Sequence, residues 1–218
     1  MPPDAGPGGR RASYAHTVEA ATGSRGTIEG DKASRIVDAM RGSVARRGVA
    51  GSTFDHVARD AQVSRGLLHY YFGTKERLLA EVVRRDCELR MHVIDEQLAG
   101  ARSADEVIDG LVASLKDIVE NDPAFITLVF ELFTLSRRNA EIAAEFAELL
   151  RRTREHVAGL LEAKQDAGVL ALHAPADAVA DVLFAMADGV AMRMLTETDH
   201  DFGPTVQAGV RAIRALID

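Results

Sequence analysis

The stretch VSRGLLHYYFGTKERLL, residues 63–79, sets Arg65, His69, Tyr70 and Lys75 close together, with Tyr71 and Phe72 between them. The chain has only 5% aromatic residues and no tryptophan, so this concentration asks for a cause. The residue types share one chemistry. An arginine fork matches O6 and N7 of guanine, a leucine meets the methyl of thymine, and histidine or tyrosine reaches a base edge or a phosphate oxygen. Gly66, beside Arg65, lets a backbone come close to such a surface. A packed core and a ligand clamp are the competing uses of the same rings, and spacing has to separate them.

Such side chains read a base only if an element holds them out from a core. From Asp31 a helical pattern runs with Ile36, Val37, Met40 and Val44 on one stripe and Arg35, Arg41, Arg46 and Arg47 mostly off it, ending at Gly48. Ser52 supplies a capping oxygen before TFDHVARDA, where Phe54, Val57, Ala58 and Ala61 recur at helical spacing. Ser64 caps a third helix and Thr74 opens a long fourth one. Two short helices joined by a tight turn form a helix-turn-helix. On the third helix Leu68 and Phe72, four apart, pin it to its predecessor, leaving Arg65, Leu67, His69 and Tyr70 to point elsewhere.

The run STFDHVARDAQVSRGLLHYYFGTKERLL resembles the DNA-binding segment of the tetracycline-repressor (TetR) family of bacterial regulators. The likeness rests on Thr53 at the start of the second helix, the Val57-Ala58 pair, VSRG, the Leu-aromatic run ending in Phe72, and Lys75-Glu76 opening the fourth helix. It covers roughly residues 35 to 80. The resemblance implies that the third helix enters the major groove of double-stranded operator DNA, with Arg65, Gly66, Leu67 and His69 facing bases. It also implies phosphate contacts from Thr53, Ser64, Tyr70 and Lys75. Two positions depart from the family pattern: Gln62 stands where glycine is common, in a turn that favours a left-handed residue, and His69 stands where tyrosine is common.

Charge fits a basic module on an acidic body. The chain carries −7 overall, yet residues 31–77 hold nine Lys and Arg against five Asp and Glu. Before them, residues 1–30 read as a disordered tail in which Arg10 and Arg11 are candidates for brushing a DNA backbone. Cys87 is the single cysteine, no apolar run is long enough to span a bilayer, and the N-terminus lacks a signal-peptide core. The expected place is the cytoplasm, without a membrane partner.

Residues 78–218 read as helical throughout. Ser103 and Glu106 form a capping box ahead of Val107, Leu111, Leu115 and Ile118, and AFITLVFELFTL after Pro123 is apolar on nearly every side. A long amphipathic helix stops at Gly168, and two last helices follow Pro175 and Pro204, the second carrying Val206, Val210, Ile213 and Leu216. Ala176, Ala180, Ala187 and Ala191 are small enough for close approach to a second copy of the chain. The family resemblance adds a four-helix bundle between subunits and an apolar cavity. Met91, Leu115, Phe130, Phe133 and Phe184 are the candidate walls of that cavity, with Asp188 as an orienting acid.

His92, His156 and His173 have no metal-ligand spacing, and Cys87 has no identifiable base. No nucleophile elbow, zinc-protease pair, phosphate loop or dinucleotide fingerprint occurs, so no catalytic residue, metal or cofactor is expected and the chain reads as a non-enzyme. The expectation is an all-α protein with a tail over 1–30, a three-helix helix-turn-helix DNA-binding domain over 31–77, and a helical ligand-binding and dimerisation domain over 78–218. Its expected activity is that of a homodimeric repressor released from a palindromic operator by a small apolar or amphipathic effector. An orphan or activating regulator of the same fold is the alternative.

Overall fold

A computed structural model describes residues 26–218. The described residues form nine helices: α1 (Gly26–Gly51), α2 (Phe54–Ala61), α3 (Arg65–Phe72), α4 (Lys75–Ala99), α5 (Ala104–Asn121), α6 (Pro123–Ser136), α7 (Ala140–Asp166), α8 (Ala176–Thr196) and α9 (Gly203–Arg214). Arg10 and Arg11 lie outside the described residues. The first helix begins at Gly26, five residues before the expected start at Asp31.

The stripe on α1 is buried as its spacing requires. Ile36, Val37, Met40 and Val44 meet Phe54, Val57, Ala58 and Ala61 of α2 and Leu68 of α3. The same core continues through Leu78, Leu79, Val82 and Val83 of α4 into Phe125, Leu128 and Leu132 of α6 and Ile142 and Phe146 of α7. Head and body therefore share apolar packing along α4. A second core, around Ile108, Val157, Leu161, Val179 and Ile217, joins α5, α7, α8 and the C-terminus.

Several helix ends follow their side chains. Thr74 Oγ1 accepts from Arg77 N at 3.2 Å, and Ser103 Oγ from Glu106 N at 3.3 Å, while Glu106 reaches back to Arg102 N at 2.7 Å. Gly168, at φ +70°, closes α7, with Val169 N donating to Lys164 O at 2.9 Å. Ser52 departs from expectation. Its buried hydroxyl donates to Gly48 O at 2.8 Å, where φ +69° breaks the helical path of α1, and Thr53 takes the cap of α2 by accepting from His56 N at 3.3 Å. The last helix also stops short of Leu216. Residues 216–218 instead pair antiparallel with 171–173, His173 N donating to Leu216 O at 3.0 Å, which buries Ile217 completely.

Gln62 ends α2 in the left-handed region at φ 56°, ψ 45°, a conformation that glycine adopts without a Cβ clash. Its side chain is exposed, so little burial offsets that clash. Gln62→Gly is expected to raise stability by about 0.5–1 kcal/mol in urea denaturation. A loss of stability would show that the turn carries no strain.

Candidate nucleic-acid interface

The third helix divides its residues between core and solvent as the spacing foretold. Leu68 is fully buried and Phe72 packs on the head core, whereas Arg65, Gly66 and His69 are exposed and Tyr70 keeps 75% of its surface in solvent. Leu67 is different: it is half-buried against the same core, so its side chain supports the helix.

Donors at the rim are partly committed. Among the described residues Ser64 stands at the cap of α3 with no side-chain hydrogen bond and Thr53 Oγ1 only accepts, so both hydroxyls keep a proton to donate. Lys75 Nζ donates to Val49 O at 3.1 Å, tying the start of α4 to the end of α1. The ring of His69 stands edge-on to Phe54 at 4.8 Å, with Nδ1 3.1 Å from Gly73 O. Since a carbonyl only accepts, Nδ1 carries the proton and Nε2 is left as the acceptor. Arg65 leans on α2: its Nη1 lies 3.3 and 3.4 Å from the two carboxylate oxygens of Asp55, both residues being exposed.

Much of the head's positive charge is paired within the fold. Arg46 and Arg47 of α1 share Asp60 of α2, at 2.7 and 3.5 Å. Arg41 sits in a four-residue network: its Nε reaches both oxygens of Asp86 on α4, at 3.0 and 2.7 Å, and its Nη2 bonds to Asp122 at the α5–α6 corner. Arg90 closes the group, its Nη2 2.5 Å from Asp122 and its guanidinium 4.2 Å over the ring of Phe125. Burial pulls the Arg41 guanidinium down, but Asp86 and Asp122 together hold it above its ordinary value. Burial likewise pushes the Asp86 carboxyl up against the pull of Arg41. The network links the head to two elements of the body at one point.

In the body the six candidate ligand residues are spread out. Leu115 and Phe130 pack on the core shared with the head, Met91 and Phe184 on the second core, and Phe133 is 50% exposed. Asp188 is half-buried with no hydrogen-bond or ion-pair partner among the described residues, and burial pushes its carboxyl above the usual range. A cleft of about 260 Å³ opens between α4 and α7, bordered by Cys87, Met91, Leu149, Thr153 and His156. Of the six, Met91 alone borders it. Burial first, then Asp86 and Asp188, pushes the Cys87 thiol up to about 12, which leaves it un-ionised and unreactive at neutral pH. The three histidines each meet one carboxylate: His156 with Asp95 at 2.7 Å, His173 with Asp218 at 3.0 Å, His92 with Glu96 at 3.3 Å.

Of the four alanines expected to face a second copy, Ala187 is half-buried and the other three are placed otherwise. Ala176, Ala180 and Ala191 are buried inside the chain, where α8 packs closely on its neighbours. The exposed stripe of α8 is instead Ala178, Val182, Ala185 and Met192, spaced at four, three and seven residues. It differs from the expected stripe by a rotation of the helix, a choice that alternating small and large residues leave open.

An exposed helix that carries Arg65, His69 and Tyr70 outward, fixed on two further helices, is the arrangement a helix-turn-helix requires. Residues 36–82 match the family model of bacterial regulatory proteins of the tetR family, and residues 104–218 that of the C-terminal part of BetI-type transcriptional repressors. The chain belongs to the TetR family. It is a DNA-binding transcriptional regulator of that family. Among TetR-family relatives, the HTH-type transcriptional repressor SCO4008 of Streptomyces coelicolor is 29% identical over 155 residues, covering 71% of this chain and 76% of the relative. A regulator from Saccharomonospora viridis solved with choline superposes with a TM-score of 0.64 at 22% identity, over 85% of this chain and 97% of that one. FadR of Bacillus subtilis, solved with stearoyl-CoA, gives 0.65 at 16% identity, over 83% and 96%. Within this TetR-family fold no described helix is long and apolar enough to cross a membrane.

Two features had no signal in the linear sequence. Asp55 and Arg65 stand ten positions apart with nothing to relate them until the α2–α3 turn brings their helix starts together, and Asp122 is joined to Arg41 only through the tertiary fold.

Proposed function

We propose that this TetR-family protein is a homodimeric repressor that leaves a palindromic operator when a small apolar or amphipathic effector binds its body. The observation carrying the DNA half of this reading is the outward face of α3, where Arg65, His69 and Tyr70 are exposed while Leu68 is fully buried. Arg65, Gly66 and His69 read bases, with Leu67 contributing a methyl; Thr53, Ser64, Tyr70 and Lys75 hold phosphates. Two copies related by the exposed stripe of α8 place their α3 helices in successive major grooves, 34–36 Å or slightly more apart.

Relatives of the same fold were solved with choline and with stearoyl-CoA, which supports a body that accepts small organic molecules. In this chain the cleft at Met91 is the entrance, and Asp188 supplies a half-buried charge lacking a partner. The sign of its effect follows from the raised pKa. Above the unfolded value of about 4 the folded chain resists ionising Asp188, so stability falls as pH rises through the folded value. A cationic group beside Asp188 would remove that cost. An effector that wedges between α4 and α7 tilts α4, and the Arg41 network carries the tilt to the head.

Arg65→Ala is expected to cost about 1–3 kcal/mol on the operator and to relax preference at one base pair, measured by gel shift against the operator and random duplexes. Equal losses on both would remove Arg65 from the base-reading set. The orphan or activating alternative draws support from the scattering of the six candidate residues. A thermal-shift screen with choline and acyl-CoAs, followed by the gel shift, separates the two: a ligand that raises the melting temperature and releases DNA excludes the orphan.

A further inference from the structure

We propose that Asp55 is a specificity-determining residue: its carboxylate holds the Arg65 guanidinium through Nη1 so that the Nε and Nη2 edge is aimed at a guanine. The inference rests on the reading of Arg65 as a base contact. Asp55 lies in the first turn of α2 and Arg65 is the first residue of α3, so the pair bridges the two helix starts that face DNA. Both Asp55 oxygens approach the same nitrogen, at 3.3 and 3.4 Å, and Arg65 has no other bond among the described residues. The remaining edge of the fork, Nε with Nη2, carries two parallel N–H groups, the set that pairs with O6 and N7 of guanine.

A free arginine of this length samples many rotamers and can settle on any nearby phosphate, which holds it as strongly on random DNA as on an operator. Asp55 acts against both. It restricts the rotamers, and its negative charge, 62% exposed on the DNA-facing side, repels a backbone brought close out of register. As a stabiliser of the fold the pair is worth little, because both partners are well solvated. Its value therefore lies in the complex, where desolvation strengthens the bond that aims Arg65.

The test uses the full-length protein and a duplex selected by the wild-type chain from a randomised library. Affinities are compared for that duplex, for versions in which each guanine is replaced in turn, and for random DNA. Arg65→Ala identifies the guanine it reads. Asp55→Ala is expected to lower discrimination at that guanine about tenfold, to raise affinity for random DNA, and to leave the melting temperature unchanged. In the Arg65→Ala background, Asp55→Ala should change discrimination no further. Asp55→Asn keeps an acceptor oxygen without the charge, so it should retain part of the discrimination while raising random binding as alanine does. If Arg65→Ala collapses discrimination but Asp55→Ala leaves it intact, Asp55 is only a surface acid and the proposal falls. If Arg65→Ala itself changes nothing at any guanine, the base-reading role of Arg65 fails, and the proposal with it.

Discussion

Arg41→Ala is expected to destabilise the protein by about 3 kcal/mol, an effect read as a lower urea midpoint with circular dichroism as the probe. Asp86 is 7% exposed and bonds both its oxygens to Arg41 Nε, so the truncation strands a buried carboxylate. Breaking one side of a buried pair commonly costs about 3–5 kcal/mol; Arg41 keeps 31% of its side chain in water, which places this site at the low end. Arg90 and Asp122 stay paired in the variant and limit the damage. Asp86→Asn should cost less, because an amide can still accept from Nε and carries no charge to desolvate. The loss should also fall with decreasing pH. Burial raises the Asp86 carboxyl, so in acid it is neutral and no longer stranded. A truncation cost that is the same at pH 4 and pH 7 would show that Arg41 contributes packing alone.

The same network shows where linear reading reaches its limit. The head was legible because its signals are local: the stripe on α1, the spacing of Phe54, Val57, Ala58 and Ala61, and Leu68 against Arg65 all follow from a period of 3.6 residues. The left-handed turn at Gln62 was legible from the resemblance instead, since glycine is common at that position in the family, and the turn is left-handed here. The body gave up its helices on the same terms but not their rotation. Ala180 and Ala185 look alike in sequence, and only packing against α7 decides that the first is buried and the second exposed. Phe133 looked as buried as Phe125 because a run apolar on every side does not say which side meets solvent. Side-chain pairings such as Arg41 with Asp122 need the fold first.

That correction to α8 carries the last prediction. Val182→Glu is expected to convert the protein to a monomer at micromolar concentration, seen by light scattering, and to weaken operator binding at least 100-fold. Val182 is 40% exposed and Met192 45%, large apolar side chains on a stripe whose other members, Ala178 and Ala185, let a facing helix come close. In a two-fold arrangement each substitution meets the partner's own stripe, so two carboxylates enter one dry interface without a cation. Separated monomers keep each half-site contact but lose the tethering that makes the second one intramolecular, hence the size of the drop. The folded chain should survive, with helical circular dichroism retained, because the position is open to solvent within one copy. Ala191→Glu provides the contrast: Ala191 is fully buried inside the chain, so it should unfold the protein rather than split a dimer. A Val182→Glu protein that remains dimeric would move the interface to the other exposed apolar pair, Phe133 on α6 and Leu150 on α7, at 50% and 48% exposure.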